Sequence, residues 1–237
     1  MPMSQRTLTR CSVAALAAAV VLMSVAPAMV QSDSILIPLD KYTTPKAKSL
    51  GLTYRTRLIQ FYEQIYNCMP WVSVHPNGIG FPRRKGDDTD YRYLSVWIAV
   101  DQQDDGTFAA LPQDRRVSAM FSRYGMDMLR RMTALKDVAA DANLDGFSVV
   151  LSWLKPGTAN KAGVQPVNET LALFVDKATL QDFLAKRLPA VEFTDRAKFT
   201  LYDGQDPVGR VPLEVWEDSF NATYKIENYE PPKGQKC

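Results

Sequence analysis

The spacing of hydrophobic positions changes several times along the chain, and those changes divide it into elements. Between residues 46 and 69, Tyr54, Leu58, Phe61, Tyr62, Ile65 and Met69 recur at intervals of three and four. That period predicts an amphipathic helix with an aromatic-rich buried stripe. Met69-Pro70 closes it. A stretch with two prolines and three glycines comes next, from Trp71 to Asp90, and reads as a long irregular loop. "YRYLSVWIAV" (91–100) then reads as a strand buried on both faces.

A second helix is expected from about residue 114 to 135, with Val117, Met120, Phe121, Tyr124, Met128, Met132 and Leu135 on its apolar side. Arg116, Arg123 and Arg130 recur every seven residues and are expected to form an opposite, solvated stripe. Phe147, Val149, Leu151 and Trp153 alternate with smaller residues, which is the period of a strand packed on one side. "ETLALFVD" repeats the pattern, and Asp176 or Thr179 can cap the helix that Pro189 stops. Residues 191–216 alternate like strands around a turn at Asp203-Gly204, and the tail is extended and proline-stiffened.

Helices do not come after every strand, which disfavours a doubly wound parallel sheet. The order predicts an α+β fold: a single domain over residues 29–237, with a mostly antiparallel sheet, about three helices packed on it and an extended C-terminal tail.

The first 28 residues read differently. Arg6 and Arg10 precede an apolar run ending in Ala26-Pro27-Ala28, the form of a cleaved secretory signal. An exported protein of the periplasm or extracellular space is therefore expected, with no membrane span after cleavage. The two leader arginines account for the whole formal charge of +2, so the mature chain is about neutral. That leaves no basic field for nucleic acid. Cleavage also removes Cys11. In an oxidising compartment the remaining Cys68 and Cys237 suggest a disulfide.

Chemistry-bearing motifs are few. "DANLDG" places Asp141, Asn143 and Asp145 in the order that opens many calcium loops. Loop position 12 is Ser152, however, which cannot supply the bidentate carboxylate of a helix-loop-helix site. The same residues suit a turn between a helix and a strand, so no cofactor is expected, with Ca2+ at this loop as the alternative. His75 is the only histidine, and no G-x-S-x-G elbow accompanies it. Neither G-x-x-x-x-G-K-[ST] nor G-x-G-x-x-G occurs.

The first expectation is accordingly a non-catalytic exported protein that binds or assembles with another envelope or extracellular protein. Its contact residues are expected at Arg83, Arg84 and Lys85 of the charged loop and at Arg116, Arg123 and Arg130. A secreted hydrolase using carboxylates or His75, and a calcium-stabilised extracellular module, are the alternatives.

Overall fold

A computed structural model describes residues 34–69, 71–101, 106–158, 165–211 and 213–215. The expected signal segment, Cys237 and the C-terminal tail lie outside these residues. The helical elements are α1 (Pro45–Thr53), α2 (Arg55–Cys68), α3 (Gly106–Ala109), α4 (Gln113–Met120), α5 (Met126–Ala134), α6 (Lys136–Ala140), α7 (Lys177–Leu184) and α8 (Ala190–Arg196). Six strands, β1 (Val72–Gly80), β2 (Tyr93–Val100), β3 (Gly146–Leu154), β4 (Asn168–Asp176), β5 (Lys198–Asp203) and β6 (Asp206–Gly209), form one sheet in sequence order. Every neighbouring pair is antiparallel except β2 and β3, which are parallel. Parallel neighbours need a long crossover, and the chain carrying α3 to α6 supplies it. The α+β class and the mostly antiparallel sheet are as expected, while the helical segments are shorter and more numerous than three.

Several elements differ from the periodicity reading. The first expected helix is broken at Tyr54 (φ −104°, ψ 8°) into α1 and α2. Thr44 caps α1 by accepting from the Ala47 N–H, with Pro45 at its first position. The expected second helix contains a π-helical turn, Phe121–Gly125, between α4 and α5. The expected loop after Trp71 is in large part β1. Its outer edge pairs with the incoming chain, Ile79 N–H donating to Ile35 O and Ile37 N–H to Ile79 O. A register shift between Val74 and Ile79 absorbs His75-Pro76-Asn77-Gly78 as a bulge, with Asn77 at φ +57°. Residues 190–196 are helical rather than extended. The turn at Asp203-Gly204 stands as read, with Gly204 at φ +63°.

Alternation assigns two faces to the sheet. Leu94, Val96, Ile98 and Val100 of β2 share one face with Phe147, Val149, Leu151 and Trp153 of β3, and with Leu171, Leu173 and Val175 of β4. All are buried. The helices gather there: α2 against β1, the π-helical turn and α5 against β3, α8 against β5. Phe121 and Phe193 meet Phe199 edge-on at ring-centre distances of 5.3 and 6.4 Å.

The opposite face carries Tyr93, Ser95, Trp97 and Ala99 of β2, and Ser148, Val150 and Ser152 of β3. Thr170, Ala172 and Phe174 of β4 continue it, and beyond them Lys198, Thr200 and Tyr202 of β5. Along β4 the burial alternates strictly, buried at 169, 171, 173 and 175 and half-buried between. This second face is only partly open: Tyr93, Ser95, Ser148 and Ser152 are buried, Ala99, Val150, Thr170, Ala172, Phe174, Thr200 and Tyr202 are half-buried, and Trp97 and Lys198 are exposed. The expectation that β2 is buried on both sides holds over Tyr93 to Val96 and fails only towards its end, where Trp97 is exposed and Ala99 half-buried.

Candidate functional site

The arginine stripe does not survive folding. Arg116 turns inward and grips the carboxylate of Glu169, Nε to Oε2 at 3.0 Å with a second bond from the guanidinium to Oε1. Glu169 is fully buried; Trp153 Nε1 also donates to it at 2.8 Å and Gln113 Nε2 at 3.4 Å. Arg130, by contrast, is exposed on α5, and Arg123 is half-buried in the π-helical turn. The cause is helical phase. Seven-residue spacing keeps side chains on one stripe only in an uninterrupted α-helix, and a π turn inserts a residue that rotates the succeeding helical turns. Glu169 had a signal in the sequence, because it falls in phase with Leu171, Leu173 and Val175 on the apolar side of its strand.

The calcium-like loop is tied up internally. Asp141 Oδ1 accepts from the Asn143 N–H at 2.7 Å and Oδ2 from the Tyr54 hydroxyl at 2.9 Å. Asp145 Oδ2 accepts from Lys46 Nζ and from the Arg92 N–H, both at 2.6 Å. The Asn143 N–H holds the Asp141 carboxyl below its usual range, offset in part by burial. Burial and then the Asp141 carboxylate push the Tyr54 phenol up to about 12. Asp141 and Asp145 thus face different partners and pin the helical layer to the ends of β2 and β3. Among the described residues no group of three or more His, Cys, Asp or Glu side chains converges as metal ligands would.

The charged loop between β1 and β2 is also partly internal. Arg84 Nε donates to Asp87 Oδ1 at 3.1 Å, and the side chain of Asp87 is only 8% exposed. The Arg84 bond, together with the nearby charges of Arg84, Lys198 and Arg83, holds that carboxyl below its usual range against the opposing cost of burial. Arg92 is buried and holds Asp90 Oδ1 through Nε at 2.6 Å, with further bonds to Phe81 O and Thr44 Oγ1. Arg83 and Lys85 remain exposed. The Tyr93 N–H donates to the Pro82 carbonyl at 3.2 Å, and the Tyr93 ring meets Phe174 edge-on at 5.1 Å, opposite Lys198 of β5, so the loop starts at the Tyr93–Lys198 end of this sheet face.

The same partly open face holds the only histidine. The bulge in β1 swings His75 onto Trp97, rings parallel within 7° and centres 3.9 Å apart. His75 Nδ1 lies 2.8 Å from the Pro76 carbonyl. Trp97 is 37% exposed, yet its position is fixed on both sides: His75 stacks on the ring, and Nε1 donates to Ser152 Oγ at 3.1 Å. Ser152 in turn shares a hydrogen bond with Thr170 Oγ1 at 3.0 Å. Gly78 permits the arrangement, since a Cβ there would lie 2.5 Å from the His75 carbonyl oxygen and 3.0 Å from that of Trp97. Around the indole the floor is small and uncharged: Ala99, Val150, Ser152, Thr170 and Ala172. Neither Trp97 nor this face was expected as a site. Trp97 is out of phase with Leu94, Val96, Ile98 and Val100, and that was the available signal.

Two further features are simpler. A shallow depression of about 400 Å3 is lined by Val191, Thr194, Asp195, Arg210, Val211 and Leu213, but Arg210 is already bonded to the Thr194 and Asp195 carbonyls. Cys68, half-buried at the end of α2, is disulfide-bonded; its pairing with Cys237 remains a proposal, since Cys237 lies outside the described residues. Among the described residues no helix is long and apolar enough to cross a membrane.

Fold and site together define an α+β fold with one sheet face under helices and the other partly open, carrying a fixed, exposed tryptophan. Comparison with protein-family models, with curated proteins and with solved structures finds no match to this chain.

Proposed function

We propose that this is an exported, non-catalytic protein that binds or assembles with another protein in the cell envelope or extracellular space, using the partly open sheet face as its contact surface. The observation that carries the reading is Trp97, held exposed by the His75 stack and the Ser152 hydrogen bond on an uncharged floor. Interface centres are depleted in charge and enriched in aromatic residues, and pre-ordered tryptophans dominate binding energies. An indole whose rotamer is already fixed loses little further freedom on binding.

Export rests on the apolar leader with its Ala-Pro-Ala end, and a Cys68–Cys237 disulfide, proposed with it, would form in an oxidising compartment. Placing contacts at Arg84 and Arg116 loses its support, because both are committed to internal carboxylates. The hydrolase alternative needs His75 within reach of a nucleophile. Its ring instead lies on Trp97 with Nδ1 at a backbone carbonyl.

The test is a photo-crosslink. Trp97 is replaced by benzoylphenylalanine in the full chain expressed in its own cells, with the same replacement at Arg130 on the helical side as control. The reading expects one discrete adduct at position 97 and none at 130. Native mass spectrometry of the gently extracted protein should then show the same partner, bound to a chain beginning at Met29. A monomer without any adduct at position 97 would defeat the reading.

A further inference from the structure

We propose that the partner presents an acidic segment, which crosses the partly open face of β2 to β5 with an apolar residue against Trp97 and its carboxylates at Arg83, Lys85 and Lys198. The inference rests on the binding reading above and adds the partner's chemistry.

Charge is distributed very unevenly over this surface. Its centre has none, and its charged rim has been sorted by internal pairing. Asp87 is neutralised by Arg84, Asp90 by Arg92, and Asp203 by Lys155 at 2.5 Å. Asp176 is spent on capping α7, accepting from the Thr179 N–H at 2.8 Å and its hydroxyl at 2.7 Å. Arg83, Lys85 and Lys198 are left exposed and unpaired among the described residues, with Asp88 and the capping Asp176 the exposed acids at this end of the face, so three cations stand against two carboxylates. The corner thus keeps a surplus of positive charge in a chain whose mature form is about neutral. Arg83 and Lys198 belong to different elements but lie at the same end of the face: Pro82, next to Arg83, accepts from the Tyr93 N–H at 3.2 Å, Tyr93 meets Phe174 at 5.1 Å, and Phe174 is registered opposite Lys198. Tyr91, 44% exposed, adds an aromatic surface on the same loop.

The distances set a pattern for the ligand. Trp97 lies on β2 and Lys198 on β5, three strand spacings apart and one side-chain row displaced. At about 4.8 Å per strand and about 6.6 Å per row, the separation is about 16 Å. An extended peptide covers that in about five residues. The proposed recognition element is therefore an aromatic or large apolar residue with a short acidic run about five residues later. An unpaired cationic corner favours such a partner and repels a basic one, which gives discrimination as well as steering. Nucleic acid fits less well, because three cations cannot replace the many phosphate contacts its binding needs.

The probe is an acetylated peptide with one tryptophan, a Gly-Ser spacer of about five residues and three glutamates, paired with a peptide in which lysines replace the glutamates. Binding is monitored by amide and indole NMR shifts of the full mature chain. The acidic peptide should give saturable shifts at the Trp97 indole and at residues 83–88, and the lysine peptide should give none. The triple variant Arg83→Ala, Lys85→Ala, Lys198→Ala should keep the parent spectrum elsewhere and bind at least about tenfold more weakly, as should the parent at about 0.5 M salt. Equal binding of the lysine peptide, shifts confined to the helical side, or undiminished binding by the triple variant would each overturn the proposal. The crosslink at position 97 separates the two readings. A partner captured there by the triple variant as well as by the parent sinks the acidic segment and leaves the binding reading intact. No capture and no peptide binding sinks both.

Discussion

Replacing Arg116 with alanine is the sharpest test of how this fold is held together. In the native chain the Glu169 carboxylate is fully buried on the helix-covered face and receives three kinds of donor: the Arg116 guanidinium, the Trp153 indole and, more distantly, the Gln113 amide. Arg116→Ala removes the counter-charge and two donors at once, and the Leu111 carbonyl also loses its bond from Arg116. Two donors remain for a charge that has no water. Breaking a buried pair from one side typically costs about 3–5 kcal/mol, and the surviving Trp153 bond places the expected loss at the lower end, about 3 kcal/mol. For a domain of this size that corresponds to a fall of roughly 10 °C in Tm. Urea unfolding monitored by far-UV circular dichroism measures it, with an unchanged slope showing that only stability has moved. Adding Glu169→Gln removes the buried charge, so the double variant should be more stable than the sum of the single losses predicts, by at least about 1.5 kcal/mol. A cost below about 1 kcal/mol for Arg116→Ala, or strict additivity in the cycle, would refute the argument by showing that the pair is hydrated in solution.

Other expectations rest on single contacts. Arg130→Ala, on the exposed side of α5, should change stability by less than about 0.5 kcal/mol, which contrasts directly with Arg116. Asp145→Asn should cost about 1–2 kcal/mol in urea unfolding, because it weakens the ties to Lys46 and the Arg92 N–H; Tm should be indifferent to calcium and to chelator, and a calcium-dependent rise would restore the metal reading. Asp87 and Asp141 titrate below their usual range when folded, so their contribution is complete above the unfolded carboxyl pKa of about 4 and is lost as pH falls through the lower folded values. Asp141→Asn should flatten that acid limb, and an unchanged limb would count against it. Gly78→Ala should displace the bulge against the backbone oxygens of His75 and Trp97, costing about 1–3 kcal/mol and altering Trp97 fluorescence; an unaltered emission spectrum would mean that the stack does not depend on the bulge.

How much of this was legible in the chain can be judged from particular residues. The alternation in "FSVVLSW" and "ETLALFV" located β3 and β4 and the face each buries. The Asp176 cap and the Asp203-Gly204 turn were local chemistry, and local chemistry is what a sequence states directly. The bulge at His75-Pro76-Asn77-Gly78 was not legible as part of a strand, since those four residues favour a loop. They become strand only because the chain at Ser34 to Ile37 pairs along their outer edge.

The sequence by itself determined the α+β class, the core residues and the turn chemistry, because side-chain period and backbone propensity act over a few residues. The tertiary structure decided which charges are partners and which remain for others. Arg116 and Arg130 look equivalent at seven-residue spacing, and one π-helical turn sends the first to Glu169 and leaves the second in water. Arg84 and Arg83 are neighbours, yet Asp87 claims one and leaves the other exposed. Trp97 became a candidate anchor only when the bulge set His75 on its ring and the sheet face beneath it stayed partly open. Contacts between residues far apart in the chain depend on which surfaces the packed layers cover, and that is a property of the assembled fold.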